Sequence, residues 1–166
     1  MILTRLSPLA ATLALCFLSA PSHAQAVRTE RNMSLELANQ IAAAGVAACA
    51  ANGYNVTTTV VDRAGTVRAV QRADNAGPHT VAASLGKAYT SASAKNATGA
   101  MLENVQKNPG AATLVDIPGF LVLGGGVPVK VGNEVIGAVG IGGAPGGHLD
   151  EQCALAALDK VKDLLK

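Results

Sequence analysis

Two tight turns constrain this chain more than any other feature. Asp62-Arg63-Ala64-Gly65 and Gly132-Asn133 each have the chemistry of a hairpin turn, with Gly65 suited to left-handed backbone. Strands joined by so few residues must pair antiparallel. The segments around the turns agree. Val56 to Asp62 is β-branched almost throughout, and Thr66 to Arg72 follows the first turn. Pro128 to Val131 and Glu134 to Ile141 flank the second, and Phe120 to Leu123 reads as one more short strand.

Helices fill the remaining chain. Ser34 is a suitable cap for a helix that runs to about Asn52, where Asn52-Gly53 stops it. Leu37, Ile41, Ala44 and Ala48 are its predicted buried face. Gly45 sits inside it and is expected to mark a close backbone approach. His79 to Lys95 is a second helix, and 97 to 105 a shorter one. Leu149 to Leu165 closes the chain, with Leu155, Leu158, Val161 and Leu165 on one face. Helix, two strands, helices, three strands, helix describes an α+β domain with helices over a mainly antiparallel sheet.

Composition narrows the function classes. Of 166 residues 49% are hydrophobic but only 2% aromatic, and the net charge is +2. No two basic residues are adjacent, so the footprint of a nucleic-acid binder is missing. Arg5, the apolar stretch Leu6 to Ala20, and the small residues Ser22 and Ala24 form a signal peptide, with cleavage expected after Ala24. The expectation is a periplasmic or secreted protein with no membrane span after processing. Residues 25 to 33 read as a flexible lead-in, and 34 to 166 as one domain. Removal of the signal takes Cys16 with it. Cys49 and Cys153 remain in an oxidising compartment, either as two buried thiols or as one disulfide. No spacing fits a structural zinc, an iron–sulfur cluster or covalent haem attachment.

The Gly-rich run Gly140 to Gly147 follows a strand and precedes a helix, as in a dinucleotide-binding turn. That fold needs a second parallel strand and an acidic residue about 20 positions later. The chain ends at Lys166, so the dinucleotide reading is rejected. Two readings of the loop stand side by side: a site for a carboxylate or phosphate at the helix start, or a sharp turn and nothing more. His79 and His148 open two helices and could serve as iron ligands or acid/base groups, or simply be exposed. Asp150 and Glu151 fall in the first turn of the final helix, where the helix dipole favours them. The absence of G-x-S-x-G gives no support to a hydrolase triad.

Several motifs occur in a recognisable order. They are Val60-Val61-Asp62-Arg63-Ala64-Gly65, Arg72-Ala73-Asp74-Asn75-Ala76-Gly77-Pro78, Lys87-Ala88-Tyr89-Thr90, Pro118-Gly119, Gly124-Gly125-Gly126-Val127-Pro128-Val129 and the run Gly140 to Gly147. Together they resemble the GlcG/HbpS family of haem-binding-protein-like domains, from about Ser34 to the C-terminus. The resemblance implies a profilin-like fold with a five-stranded antiparallel sheet flanked by helices on both faces. It implies haem or iron as the ligand of a homo-oligomer. His79, Thr90 and His148 are then the candidate haem ligands, with the two histidines as metal donors. Lys87 and the loop residues Gly142, Gly143, Gly146 and Gly147 are candidate partners for the propionates. The terminal helices of such a fold lie side by side, which would let Cys49 reach Cys153 if they run antiparallel. A small periplasmic enzyme acting on a carboxylate-bearing metabolite is the alternative, and a ligand-free accessory subunit is a third. Among Phe, Tyr and Trp, only Tyr54, Tyr89 and Phe120 survive signal removal, so any haem site is expected to be shallow or built between subunits.

Overall fold

The computed structural model describes residues 27–166. The signal-peptide reading, with its cleavage after Ala24, falls outside the described residues.

Ser34 caps helix α1 (Leu35–Ala50), its side chain accepting from the Leu37 N–H. Strands β1 (Thr57–Asp62) and β2 (Val67–Arg72) follow. Gly65 has a φ of 80°, and Asp62 Oδ1 accepts from the Ala64 and Thr66 N–H groups, so the aspartate ties the turn. Helices α2 (His79–Ala94) and α3 (Thr98–Lys107) come next, then a 3-10 segment Pro109–Asp116. Strands β3 (Gly126–Val131) and β4 (Glu134–Gly142) precede α4 (Gly147–Lys160). The sheet order is β2-β1-β4-β3, antiparallel throughout.

Among the described residues the sheet therefore has four strands, not the five expected. Phe120 to Leu123 is the segment that fails to join. Gly119 before it has a φ of 85°, and the Leu121 N–H donates to Thr90 Oγ1 at 2.7 Å instead of to a neighbouring strand. A side chain has taken the bond that a strand ladder would have used.

Helices α1 and α4 cover one face and α2 the other. On the first face Ile41, Cys49, Val60, Val129, Val139 and Ile141 form part of one buried cluster. The buried side of α1 is Ala38, Ile41, Ala42, Gly45 and Cys49, so the expected face is rotated: Leu37, Ala44 and Ala48 are only half-buried. At Gly45 the close neighbours are side chains rather than backbone, since a Cβ there would lie 2.6 Å from Thr58 Oγ1. In α4, Leu155 is 53% exposed, against expectation. The small residues Cys153, Ala154 and Ala157 are buried instead. Large leucines would hold the two helices apart. A disulfide joins Cys49 of α1 to Cys153 of α4, with the Cα atoms 5.3 Å apart.

The other face is built differently. Thr57 and Thr59 of β1 hydrogen-bond to Thr80 and Ser84 of α2, both at 2.7 Å. Gly126 pairs with Gly140 beneath the helix. A Cβ on Gly140 would lie 2.5 Å from the Ala88 backbone nitrogen, so α2 rests on bare strand backbone. Gly140→Ala is expected to cost about 3 kcal/mol, the upper end of ordinary overpacking, because a helix backbone cannot swing aside as a side chain can. Urea unfolding of the variant checks this, and a loss under about 1 kcal/mol would show that the helix can lift.

The end of the lead-in is anchored. Met33 is buried and donates its N–H to Ile136 O at 3.1 Å. Arg63 bridges Glu30 at 3.2 Å and Glu134 at 2.7 Å, and donates to Arg31 O at 2.9 Å. The hydrogen bond from Arg63 holds the Glu134 carboxyl below the usual glutamate range.

Candidate functional site

Lys87 lies on the sheet-facing side of α2, and Asp150 in the first turn of α4. Their side chains are 2% and 4% exposed, and Nζ donates to Oδ2 at 2.7 Å. Nζ also donates to Ile141 O at 2.9 Å, while Asp150 Oδ1 accepts from the Ala144 N–H at 3.0 Å. The anion held by the Gly142–Gly147 loop is therefore the chain's own carboxylate. Lys87 is enclosed by this network and is not presented to solvent. Thr90 is also committed. Its buried hydroxyl donates to Gly86 O at 2.7 Å and accepts from Leu121. The sequence offered no route to the Lys87–Asp150 pair, whose members are 63 residues apart.

The loop glycines have packing roles. Gly143 has a φ of 134°, and Gly147 lies against Gly124, where a Cβ would sit 2.8 Å from the Gly124 carbonyl oxygen. Gly142 ends β4 under α2, and Gly146 precedes α4.

His79 and His148 are both exposed, at the starts of α2 and α4. Each ring folds back over a glycine: a Cβ on Gly77 or Gly146 would lie 2.8 Å from the respective Cε1. Among the described residues no group of three or more His, Cys, Asp or Glu side chains could hold a metal ion. His148 lines a cleft of about 490 Å³ between α3 and α4, with Leu102, Leu123, Leu155, Glu103 and Glu151. Glu151 Oε2 accepts from the N–H groups of Gly99 at 3.2 Å and Gly125 at 3.4 Å.

A larger cleft, about 770 Å³, opens on the outer side of α2. Leu85 and Tyr89 of α2, Val67 of β2, and Pro118, Phe120 and Leu121 are among its lining residues. Tyr89 and Phe120 meet edge to face with ring centroids 6.3 Å apart. The Tyr89 ring is held between two glycines with positive φ: Cβ atoms on Gly65 and Gly119 would lie 2.8 and 3.2 Å from it. In the sequence Tyr89 appears within the Lys87-Ala88-Tyr89-Thr90 motif and among the three Phe, Tyr or Trp residues outside the signal segment. Its one usable signal was the scarcity of aromatic residues. A third groove, about 800 Å³, runs between α1 and α4 and is lined mainly by alanines. No helix among the described residues is long and apolar enough to cross a membrane.

Comparison with known proteins adds the following. The family described as haem degrading protein HbpS-like matches residues 33–159. Protein GlcG of Escherichia coli is 36% identical over 115 residues, 69% of this chain and 84% of GlcG. A double mutant of Streptomyces reticuli HbpS has a TM-score of 0.77 at 34% identity, covering 93% of this chain and 99% of that one. PduOC, solved as a haem complex, shares the fold with a TM-score of 0.69 at 24% identity, covering 77% of this chain and 94% of its own.

Proposed function

The chain belongs to the HbpS-like family, and on that premise we propose that it is a secreted, homo-oligomeric small-molecule-binding protein whose ligand is haem. The family match over residues 33–159 carries this reading. Export to the periplasm or beyond follows from the signal peptide read in residues 1–24.

The residues present fit the group. Haem needs an apolar wall for the macrocycle and one or two donors for iron. Two clefts offer both, one with the imidazole of His148 among leucines and the other with the phenol of Tyr89 beside Phe120. His79 is a third exposed donor. Bound haem would supply a redox-active iron, and the chain's part is to bind it, orient it and limit access of water. Lys87 and Thr90 would act from beneath, by fixing α2 against the sheet. A carboxylate-bearing metabolite at the Gly142–Gly147 loop would have to displace Asp150 from Ala144 and Lys87, so the enzyme reading loses its anion site.

Titration of the purified mature protein with ferric haemin tests the proposal. The expected result is a saturable shift of the Soret band that co-elutes with a multi-subunit species. Absorbance that rises only as free haemin does would overturn it.

A further inference from the structure

Tyr54, Tyr89 and Phe120 are the only Phe, Tyr or Trp residues beyond residue 26. A chain this poor in aromatics would gain most by placing them in its core, where each buries a large apolar area. Two of the three instead line one solvent-open cleft. Val81, Leu85 and Tyr89 recur at spacings of four along α2 and are 41%, 37% and 37% exposed. Val67 of β2 is 45% exposed alongside them. The volume falls within the range of small-molecule sites.

We infer that the Tyr89–Phe120 cleft, not the His148 cleft, seats the porphyrin plane, and that the Tyr89 phenol oxygen is the protein's ligand to ferric iron. The inference rests on the haem reading above and names its site. Three observations carry it. The lining is apolar and aromatic, matching a flat macrocycle, whereas the His148 cleft is smaller and includes two carboxylates, Glu103 and Glu151, that would disfavour the like-charged propionates. The Tyr89 ring is already fixed by Gly65 and Gly119, so seating a ligand against it needs little reordering. Its hydroxyl makes no hydrogen bond to the described residues, which leaves the oxygen available; Tyr is an established class of haem-iron ligand. A notch formed by Arg63, Ala64, Gly65, Tyr89 and Ser93 adjoins the cleft. Arg63 is already paired with Glu30 and Glu134, so the propionates would point to water rather than to its charge.

In the ligation step the phenol O–H bond breaks and its proton passes to water. The oxygen lone pair forms the bond to iron, and the solvent ligand on iron leaves. No oxidation state changes.

The test is ferric haemin titration of the mature protein and of Tyr89→Phe, Leu85→Glu and His148→Ala. Tyr89→Phe removes an oxygen without a protein partner, so its melting temperature should match the parent's. It should lose the phenolate-to-iron charge-transfer band and bind at least about ten-fold more weakly, a loss of about 1.4 kcal/mol. Leu85→Glu, which puts a carboxylate on the rim, should weaken binding to a similar degree, and His148→Ala should bind like the parent. Loss of binding in His148→Ala with Tyr89→Phe unchanged would overturn the inference while leaving the haem reading intact. So would a Leu85→Glu variant that splits the oligomer yet binds haemin normally, since the cleft would then be a subunit contact. Absence of any saturable shift in the parent would remove the haem reading and this inference together.

Discussion

Removing the Cys49–Cys153 bridge should destabilise the protein by up to about 4.7 kcal/mol, the chain-entropy value for a loop of about 100 residues. The bond closes a separation of 104 residues, so it restricts most of the described chain in the unfolded state. The native side of the argument points the same way. Buried Ala38 and Ala42 of α1 and buried Ala154 and Ala157 of α4 supply little area each, about 0.8 kcal/mol per buried methyl-sized group. A helical layer built from alanines gains little from burial alone, and the covalent link compensates. Cys49→Ala, Cys153→Ala and the double variant should therefore lose nearly the same stability, because each breaks the same bond. Reductant added during urea unfolding should bring the parent down to their level. Protein prepared without residues 1–24, and so without Cys16, should show no free thiol when denatured without reductant. Two free thiols per chain, or a parent indifferent to reductant, would end the argument.

The parts of the fold legible in the sequence were those set by neighbouring residues. Ser34, Gly53 and Gly65 act through local hydrogen bonds or backbone sterics, and the helix cap and both glycine turns behave as their residue types require. The strands β1, β2 and β4 came within one residue of their ends for the same reason. Errors arose where a distant group decided. Phe120–Leu123 has the composition of a strand, but the Thr90 hydroxyl, 31 residues earlier in the chain, claims the Leu121 N–H. Leu155 satisfies helical periodicity, yet α4 buries Cys153, Ala154 and Ala157 instead, and Leu155 lines the open cleft between α3 and α4. The candidate site divides likewise. His79 and His148 are accessible, as polar residues at helix starts commonly are. Lys87 was read as a ligand-facing cation because nothing local reveals that Asp150 waits beneath it. The Tyr89–Phe120 pair depends on two left-handed glycines in separate loops, a coincidence in space with no counterpart in spacing.

The Lys87–Asp150 pair yields the other large effect. Lys87→Met should destabilise the protein by about 3–5 kcal/mol, the usual result of leaving one partner of a buried ion pair uncompensated. The methionine fills much the same volume, so packing is not the main term. What is lost is the ammonium between two acceptors, Asp150 Oδ2 and Ile141 O. Asp150 would keep only the Ala144 N–H, too little for a carboxylate out of reach of water. Asp150→Leu should be comparably damaging, since it strands the ammonium and frees the Ala144 N–H. The double variant discriminates. With both charges gone the desolvation penalty disappears as well, and Lys87→Met with Asp150→Leu should recover most of either single loss. Urea unfolding of the four proteins forms a closed cycle. Strictly additive losses would show that the two residues act separately, and that α2 is not held to the start of α4 through this pair. A strong coupling would identify the pair as the link between the floor of the Tyr89 cleft and the Gly142–Gly147 loop. Lys87 would then matter to ligand binding only by keeping α2, and with it Leu85 and Tyr89, seated on the sheet.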